Sequence, residues 1–194
     1  NATELATMMV GRPLLQRTKR TSTVRDTPDP AAPQDDILLH VDHLHGFSLP
    51  IDATIELHRG EILGIGGLVG SGRSELVRAI FGLDPVTSGT IRILDVSGPT
   101  TPTACLDAGL GLLSEDRATE GLALNLSVAD NTVMSRWPTR RRGWLDLLGR
   151  DRAAERWIDE LGIRTPSPES TVGSLSGGNQ QKVALARLLH HDVD

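Results

Sequence analysis

The chain has 194 residues, which is enough for one sizeable domain with additional segments. Hydrophobic residues make up 38% of the chain, a little low for a globular protein, so we expect part of it to be a linker. The formal net charge of −5 does not favour a nucleic-acid partner, and the single cysteine, Cys105, excludes an internal disulfide. No apolar run approaches the length needed to span a bilayer.

The first 36 residues divide into two segments. Residues 1–12 carry apolar side chains at helical spacing and predict the last helix of a preceding domain. Residues 13–36 hold four prolines among threonine, arginine and aspartate, a composition typical of a linker. Structure resumes at residues 37–41, which predict a strand. Residues 51–57 alternate between apolar and polar side chains and predict a second, half-exposed strand.

A glycine-rich stretch comes next, and it fits the phosphate-binding loop pattern G-x-x-x-x-G-K-[ST] except that arginine stands for lysine. Its residues are Gly67, Leu68, Val69, Gly70, Ser71, Gly72, Arg73 and Ser74. The apolar run at 62–65 predicts a buried strand before the loop, and residues 75–81 predict a helix after it. Glycines allow the backbone to aim N–H groups at phosphate oxygens, and the helix start adds its positive dipole end.

In this context the sequence assigns roles to two side chains. Ser74 is placed to ligate Mg²⁺, and Arg73 is placed to reach the outer phosphates. The alternative is a glycine-rich turn before an ordinary helix. The flanking strand and helix, together with the adjacent cation and hydroxyl, favour the phosphate-binding interpretation.

The next segment is predicted from short patterns. Asp84–Pro85 and Ser88–Gly89 predict turns, and residues 90–94 predict a strand. A short helix is predicted over residues 102–108, with proline near its first turn. The apolar run at 110–113 predicts a buried parallel strand.

Polar residues 114–117 read Ser-Glu-Asp-Arg and follow that run directly. In α/β sheets, ligands bind beyond the carboxyl ends of parallel strands, which is where this segment is expected. We therefore interpret Glu115 as a residue that meets the metal or the attacking water. The alternative is that residues 115–117 pair with one another on a surface loop.

Residues 127–172 are predicted to be mainly helical. Ser127 is a suitable N-cap for a helix over residues 128–134. A second apolar stripe runs from Ala153 to Leu161 and ends at Gly162. Trp157 belongs to this stripe, so we expect it to be a core residue.

A second glycine motif precedes the last predicted helix. Its residues are Leu175, Ser176, Gly177, Gly178, Asn179 and Gln180, and an apolar helical run follows. A Ser-Gly-Gly turn at a helix start suits an anion. Taken alone, the motif is equally consistent with an ordinary helix start.

Together the two motifs are far more specific than either one. A phosphate loop followed about a hundred residues later by Leu-Ser-Gly-Gly resembles the nucleotide-binding domain of ABC transporters. Residues 175–180 match the family's signature, with Asn179 where most members have glutamine, and Glu115 falls at the family's Q-loop glutamine. Arg73, the 114–117 segment and the extended signature resemble the second half of tandem sugar-import ATPases of the ribose/galactose type. Residues 4–12 are similar to the tail of the first half.

This resemblance implies an α/β fold, a P-loop NTPase core with an antiparallel β subdomain and a helical subdomain at about residues 127–172. The ATPase domain would occupy residues 37–194 and be incomplete at its C-terminus, ending before the Walker B strand. ATP and Mg²⁺ would bind at residues 67–74. Two such domains would close head to tail, so that Ser176, Gly177 and Gly178 would contact ATP held by the first half.

The implied function is to couple ATP binding and hydrolysis to monosaccharide uptake. The partners would be the first nucleotide-binding half, a membrane permease and, indirectly, a periplasmic or extracellular sugar-binding protein, at the cytoplasmic face of the membrane. We expect the fragment alone to be inactive, because the Walker B carboxylates would follow Asp194. The alternative is a degenerate, non-hydrolysing half that completes the partner's ATP site, which Arg73 and Glu115 favour. The sequence identifies neither the sugar nor the adenine-stacking residue, for which Phe47 is a weak candidate.

Overall fold

A computed structural model describes residues 37–98, 100–140 and 143–193, so the predicted domain tail and linker at residues 1–36 lie outside the described residues. The strands are β1 (Ile37–Gly46), β2 (Ala53–His58), β3 (Val86–Ile93) and β4 (Val96–Ser97). The helices are α1 (Arg73–Ile80), α2 (Pro102–Asp107), α3 (Val128–Val133), α4 (Leu147–Leu161) and α5 (Gly177–His191). Single π-helical and 3₁₀ turns occur at Arg117–Gly121 and Val172–Ser174.

The four strands form one antiparallel sheet in the order β2-β1-β3-β4. Val41 in β1 lies opposite Ile55 in β2 and Ile91 in β3, so apolar side chains line up across the sheet. β3 is longer than predicted, because Ser88–Gly89 is part of the strand and not a turn. The register shifts here, and Gly89 has a φ of 97° with no room for a Cβ, which would lie 2.4 Å from the His43 carbonyl oxygen. The glycine therefore accommodates the bulge that His43 and Leu44 form in the facing strand β1.

The sheet packs against α1 and α2 to form the first of two hydrophobic cores. Its most deeply buried members are Val41, Leu44 and Cys105, each fully inaccessible to solvent. Burial of Cys105 in this core raises the pKa of its thiol. The helix over 102–107 is confirmed, with Thr101 as its N-cap.

The second core is built by α3, α4 and α5. Ser127 caps α3 as predicted, because its hydroxyl accepts the Asp130 N–H at 3.0 Å. α4 ends at Gly162, which adopts the left-handed conformation with a φ of 58°. Trp157 is 8% exposed and belongs to this core, so its assignment as a core residue is confirmed.

Two predicted strands are wrong. The runs at 62–65 and 110–113 have no regular secondary structure, and neither pairs with a strand in the described part of the chain. A buried parallel strand requires hydrogen-bonding neighbours and cover on both faces, and Ile62 is 95% exposed. The two runs nevertheless approach each other, since Ile62, Leu63, Leu110 and Leu112 line one apolar cavity of about 340 Å³.

Candidate functional site

The glycine loop at residues 67–74 adopts a conformation that needs its glycines. Gly70 and Gly72 have φ angles of 82° and 88°, in the left-handed region that favours glycine. The Ser71 N–H donates to the Leu68 carbonyl at 3.1 Å and closes a tight turn. A Cβ on Gly67 would lie 2.3 Å from the Ser71 Oγ. The loop is therefore compact at its base, with its backbone close to the start of α1.

The loop leads directly into α1, whose N-cap is Gly72. The Leu76 N–H donates to the Gly72 carbonyl at 2.9 Å, as the first intrahelical bond. The N–H groups of the turn before it have no intrahelical acceptor, and the helix dipole places partial positive charge there. Val69, at the outer side of the loop, is 99% exposed. This combination suits an anion that approaches from solvent.

A cavity of about 430 Å³ lies beside the start of α1. Arg73 and Ser74 line it from the helix, and Ser114, Glu115 and Asp116 line it from the loop after the second apolar run. The structure therefore brings Ser74 and Glu115, the two residues interpreted as meeting Mg²⁺, to one cavity. Among the described residues no group of three or more His, Cys, Asp or Glu side chains is arranged to hold a metal.

Three further residues of this region, Arg78, Asp84 and Glu120, were not assigned to the site from the sequence. Arg78 donates through Nε and Nη2 to the two carboxylate oxygens of Asp84, both at 2.9 Å. Its Nη1 forms an ion pair with Glu120. The hydrogen bonds from Arg78 to Asp84 are the main cause that raises the pKa of the guanidinium. Arg78 follows Ser74 by one helical turn, which was the available signal for it, whereas nothing in the local pattern indicated Glu120.

The loop that carries Glu115 is held by hydrogen bonds on both sides of it. The Ser114 Oγ donates to Glu120 Oε2 at 2.9 Å and accepts the Asp116 N–H at 3.1 Å. The Asp116 carboxylate accepts from the Thr119 N–H at 3.1 Å and from the Thr119 hydroxyl at 2.5 Å. Glu115 itself is exposed on the cavity wall.

The second glycine motif lies at the start of α5. Ser176 is the N-cap of α5 and is exposed, while Leu175 packs against the second core. A Cβ on Gly178 would meet open space. The exposed face of this motif is therefore accessible from outside the chain.

Two amide side chains fix the motif to its surroundings. The Asn179 Oδ1 accepts the Arg164 N–H at 3.0 Å, and its Nδ2 donates to the Ser176 Oγ at 3.1 Å. The Gln180 Nε2 donates to the carbonyls of Val172 and Leu175 at 3.3 and 3.2 Å. Both amides thus stabilise the turn before α5 from within the chain.

The glycine loop leads into α1, which packs in the first core, whereas Leu175 of the second motif packs against the second core. The cavity beside Ser74 is lined by no residue of the second motif. The predicted roles of residues 67–74, 175–180 and Glu115 stay predictions at this point. Phe47, the weak candidate for stacking on adenine, is 86% exposed. No helix in the described ranges has the length and apolar character to cross a bilayer.

Comparison with known proteins provides independent findings. A family model described as ABC transporter matches residues 51–194. The chain is 42% identical over 193 residues to a putative ribose/galactose/methyl galactoside import ATP-binding protein 1 of Agrobacterium fabrum, a match that covers 96% of this chain and 36% of the relative. It is 46% identical over 167 residues to ribose import ATP-binding protein RbsA 3 of Rubrobacter xylanophilus, covering 84% of this chain and 33% of that protein. The chain thus spans about a third of the length of these relatives.

Solved structures give the same fold. A dimeric ATP-binding cassette in a post-hydrolysis state, bound to ADP and phosphate, matches with a TM-score of 0.62 at 19% identity, over 79% of this chain and 70% of that one. At this identity the likeness concerns the fold alone. It confirms the predicted fold class, in which a P-loop ATPase core is combined with an antiparallel sheet and helices.

Proposed function

Because this chain belongs to the ABC transporter family, we propose that it is part of the ATP-binding subunit of an importer that takes up monosaccharides. The proposal is supported by identities of 42% and 46% to proteins named for ribose and galactose import. The observation that carries it is that Arg73 and Ser74, at the end of the glycine loop, line one cavity together with Glu115.

ATP would be held at residues 67–74, with its phosphates on the N–H groups of the loop and of the first turn of α1. The residues fit this ligand, since the loop is exposed, begins a helix and carries a guanidinium and a hydroxyl on the same cavity. Ser74 would ligate Mg²⁺, and Glu115 would lie near the metal or the attacking water. Bound MgATP supplies a phosphoanhydride whose hydrolysis depends on the positioning of metal and water.

The second glycine motif would act on a neighbouring domain. Ser176 and Gly178 are exposed at the start of α5, where they are accessible to a triphosphate held by another nucleotide-binding half. Closure of two such halves on ATP would drive a membrane permease, supplied with sugar by a separate binding protein. The proposed location is the cytoplasmic face of the membrane.

A second candidate follows from Arg73. Arginine keeps the charge of the usual lysine but replaces a compact ammonium with a wide planar fork. In this alternative the half binds ATP without hydrolysing it and serves the partner's site. Uptake of labelled ribose and galactose by cells that carry Arg73→Ala separates the two. Uptake close to that of the unmodified protein supports the scaffold, and uptake reduced about tenfold or more supports a working site.

Nucleotide binding is tested with a fluorescent ATP analogue in the presence of Mg²⁺. We expect Ser74→Ala to weaken binding about tenfold, or about 1.4 kcal/mol, because a metal ligand is lost. The matched control is Ser88→Ala, which removes an exposed hydroxyl from β3 and should leave the affinity unchanged. Equal affinity of Ser74→Ala and the unmodified protein would contradict the proposed site.

A further inference from the structure

Glu120 lies where two cavities meet. The first is the proposed nucleotide cavity, which contains Ser74 and Glu115. The second, of about 220 Å³, is lined on one side by Arg187 and Leu188 of α5. Glu120 lines both cavities, although no pattern in the sequence singled it out.

The carboxylate of Glu120 joins α1 to the loop that carries Glu115. One of its oxygens pairs with Arg78 of α1, and the other accepts the Ser114 hydroxyl at 2.9 Å. Arg78 is itself anchored, since two bonds of 2.9 Å hold its guanidinium on Asp84. Glu120 is therefore fixed relative to the helix that begins at the glycine loop.

Hydrogen bonds connect Glu120 to both residues that flank Glu115 in the chain. Ser114 is bound to Glu120 directly, and the same Ser114 oxygen accepts the Asp116 N–H at 3.1 Å. The backbone before and after Glu115 is thus tied to one carboxylate, while the Glu115 side chain stays on the wall of the nucleotide cavity.

The residue after Glu120 has its own anchor on α5. The Gly121 carbonyl accepts the Arg187 Nη2 at 2.6 Å. Burial lowers the pKa of the Arg187 guanidinium, and in the described ranges no carboxylate forms an ion pair with it. A half-buried charge that depends on this carbonyl opposes displacement of the turn at 117–121.

We propose that Glu120 is a positioning residue that holds the Glu115 segment in place, so that Glu115 and Ser74 line the same nucleotide cavity. It acts through Arg78 on one side and Ser114 on the other. The inference rests on the proposed function, because it requires that this cavity hold MgATP.

The test measures the affinity for a fluorescent ATP analogue once in the presence of Mg²⁺ and once in the presence of EDTA. The readout is the affinity with Mg²⁺ divided by the affinity with EDTA. We expect Glu120→Gln to lower this ratio about fivefold, which corresponds to the loss of about one hydrogen bond. Ser114→Ala should lower it similarly while leaving every charge in place. The control is Glu155→Gln, at an exposed acid on α4, which should match the unmodified protein. Thermal midpoints are recorded for all variants, and Ser114→Ala decides the matter if Glu120→Gln does not fold.

The outcomes separate four situations. A fall in both variants supports positioning. A fall in Glu120→Gln with no change in Ser114→Ala would mean that Glu120 acts by its charge alone and would overturn the positioning role. Unchanged ratios in both variants, with normal binding by the unmodified protein, would overturn this inference and leave the proposed function intact. If the unmodified protein bound no nucleotide, both would fail.

Discussion

The helical core and the glycine-loop region differ in how their side chains are buried and paired. In the core formed by α3, α4 and α5, Asn131 and Thr132 are fully buried, and each is hydrogen-bonded. Arg150 of α4, which is partly buried, is paired with three carboxylates. In the glycine-loop region, by contrast, Ile62 is 95% exposed and Val69 is 99% exposed. The helical region pairs these three side chains within the chain, whereas the glycine-loop region leaves large apolar side chains exposed to solvent.

This difference indicates where a substitution should act. Removing a group from the helical core leaves buried partners unsatisfied, so the cost falls on folding. Changing the outer side of the glycine loop removes no internal contact, so any cost falls on ligand binding. Substitutions in the two regions therefore test this division.

The largest effect is expected at Asn131. Its side chain accepts the Ala123 N–H at 2.9 Å and donates to the carbonyls of Ala123 and Ser127 at 2.9 and 3.0 Å. Asn131→Ala should lower the free energy of unfolding by about 3 kcal/mol, because several backbone groups lose their partner. Urea unfolding measures this.

The matched control for that variant is Thr132→Val, at an equally buried neighbour. The Thr132 hydroxyl makes a single bond, to the Val128 carbonyl within α3 at 2.8 Å. We expect a loss of about 1 kcal/mol or less, since only one helical carbonyl is affected. Equal losses in the two variants would mean that the hydrogen bonds of Asn131 stabilise the protein no more than the single bond of Thr132 does.

The next effect is expected in the glycine loop. Gly72 has a φ of 88°, and a Cβ there would lie 3.3 Å from the Leu49 Cβ. Gly72→Ala should cost about 1–2 kcal/mol of folding free energy, the penalty of a side chain in the left-handed region. It should also weaken ATP binding, because the start of α1 must shift. The control is Gly64→Ala, where φ is not positive and a Cβ meets open space, so stability should change by less than about 0.5 kcal/mol.

A smaller, pH-dependent effect is expected at Asp130. Burial opposes ionisation of its carboxyl, but hydrogen bonds from Ser127 and Arg150 outweigh burial and lower the pKa from 3.8. A lowered folded-state pKa stabilises the protein above that ordinary value, and the contribution is lost as the pH falls below it. Asp130→Asn should therefore cost about 1 kcal/mol at pH 7. The difference from the unmodified protein should shrink below pH 3.8, as measured by urea unfolding across pH. A difference independent of pH would exclude the ionic contribution.

The same two regions explain which elements the sequence predicted. The helices around Ser127 and before Gly162 depend on caps and apolar spacing within a few residues, and both predictions are confirmed. The strands predicted at 62–65 and 110–113 are wrong, because a strand exists only through partners elsewhere in the chain. The two runs nevertheless line a common cavity.

The candidate site follows the same logic. Arg73 and Ser74 are contiguous with the glycines, so a local pattern predicted them. Glu115 was assigned from its place after an apolar run, and the structure does locate it on the same cavity. Glu120 escaped prediction because its pairing with Arg78 joins residues 42 positions apart. Such a contact depends on how α1 packs against the turn at 117–121, which no short pattern encodes.

The smallest effect on folding is expected at Val69. This side chain is 99% exposed, so replacing it with serine removes almost no buried apolar surface. Val69→Ser should change the free energy of unfolding by less than about 0.5 kcal/mol in urea titrations. A loss above about 1 kcal/mol would mean that the loop is covered in solution, and the contrast between a closed helical core and an open glycine loop would no longer hold. Unchanged stability combined with altered ATP affinity would instead assign this side of the loop to the ligand.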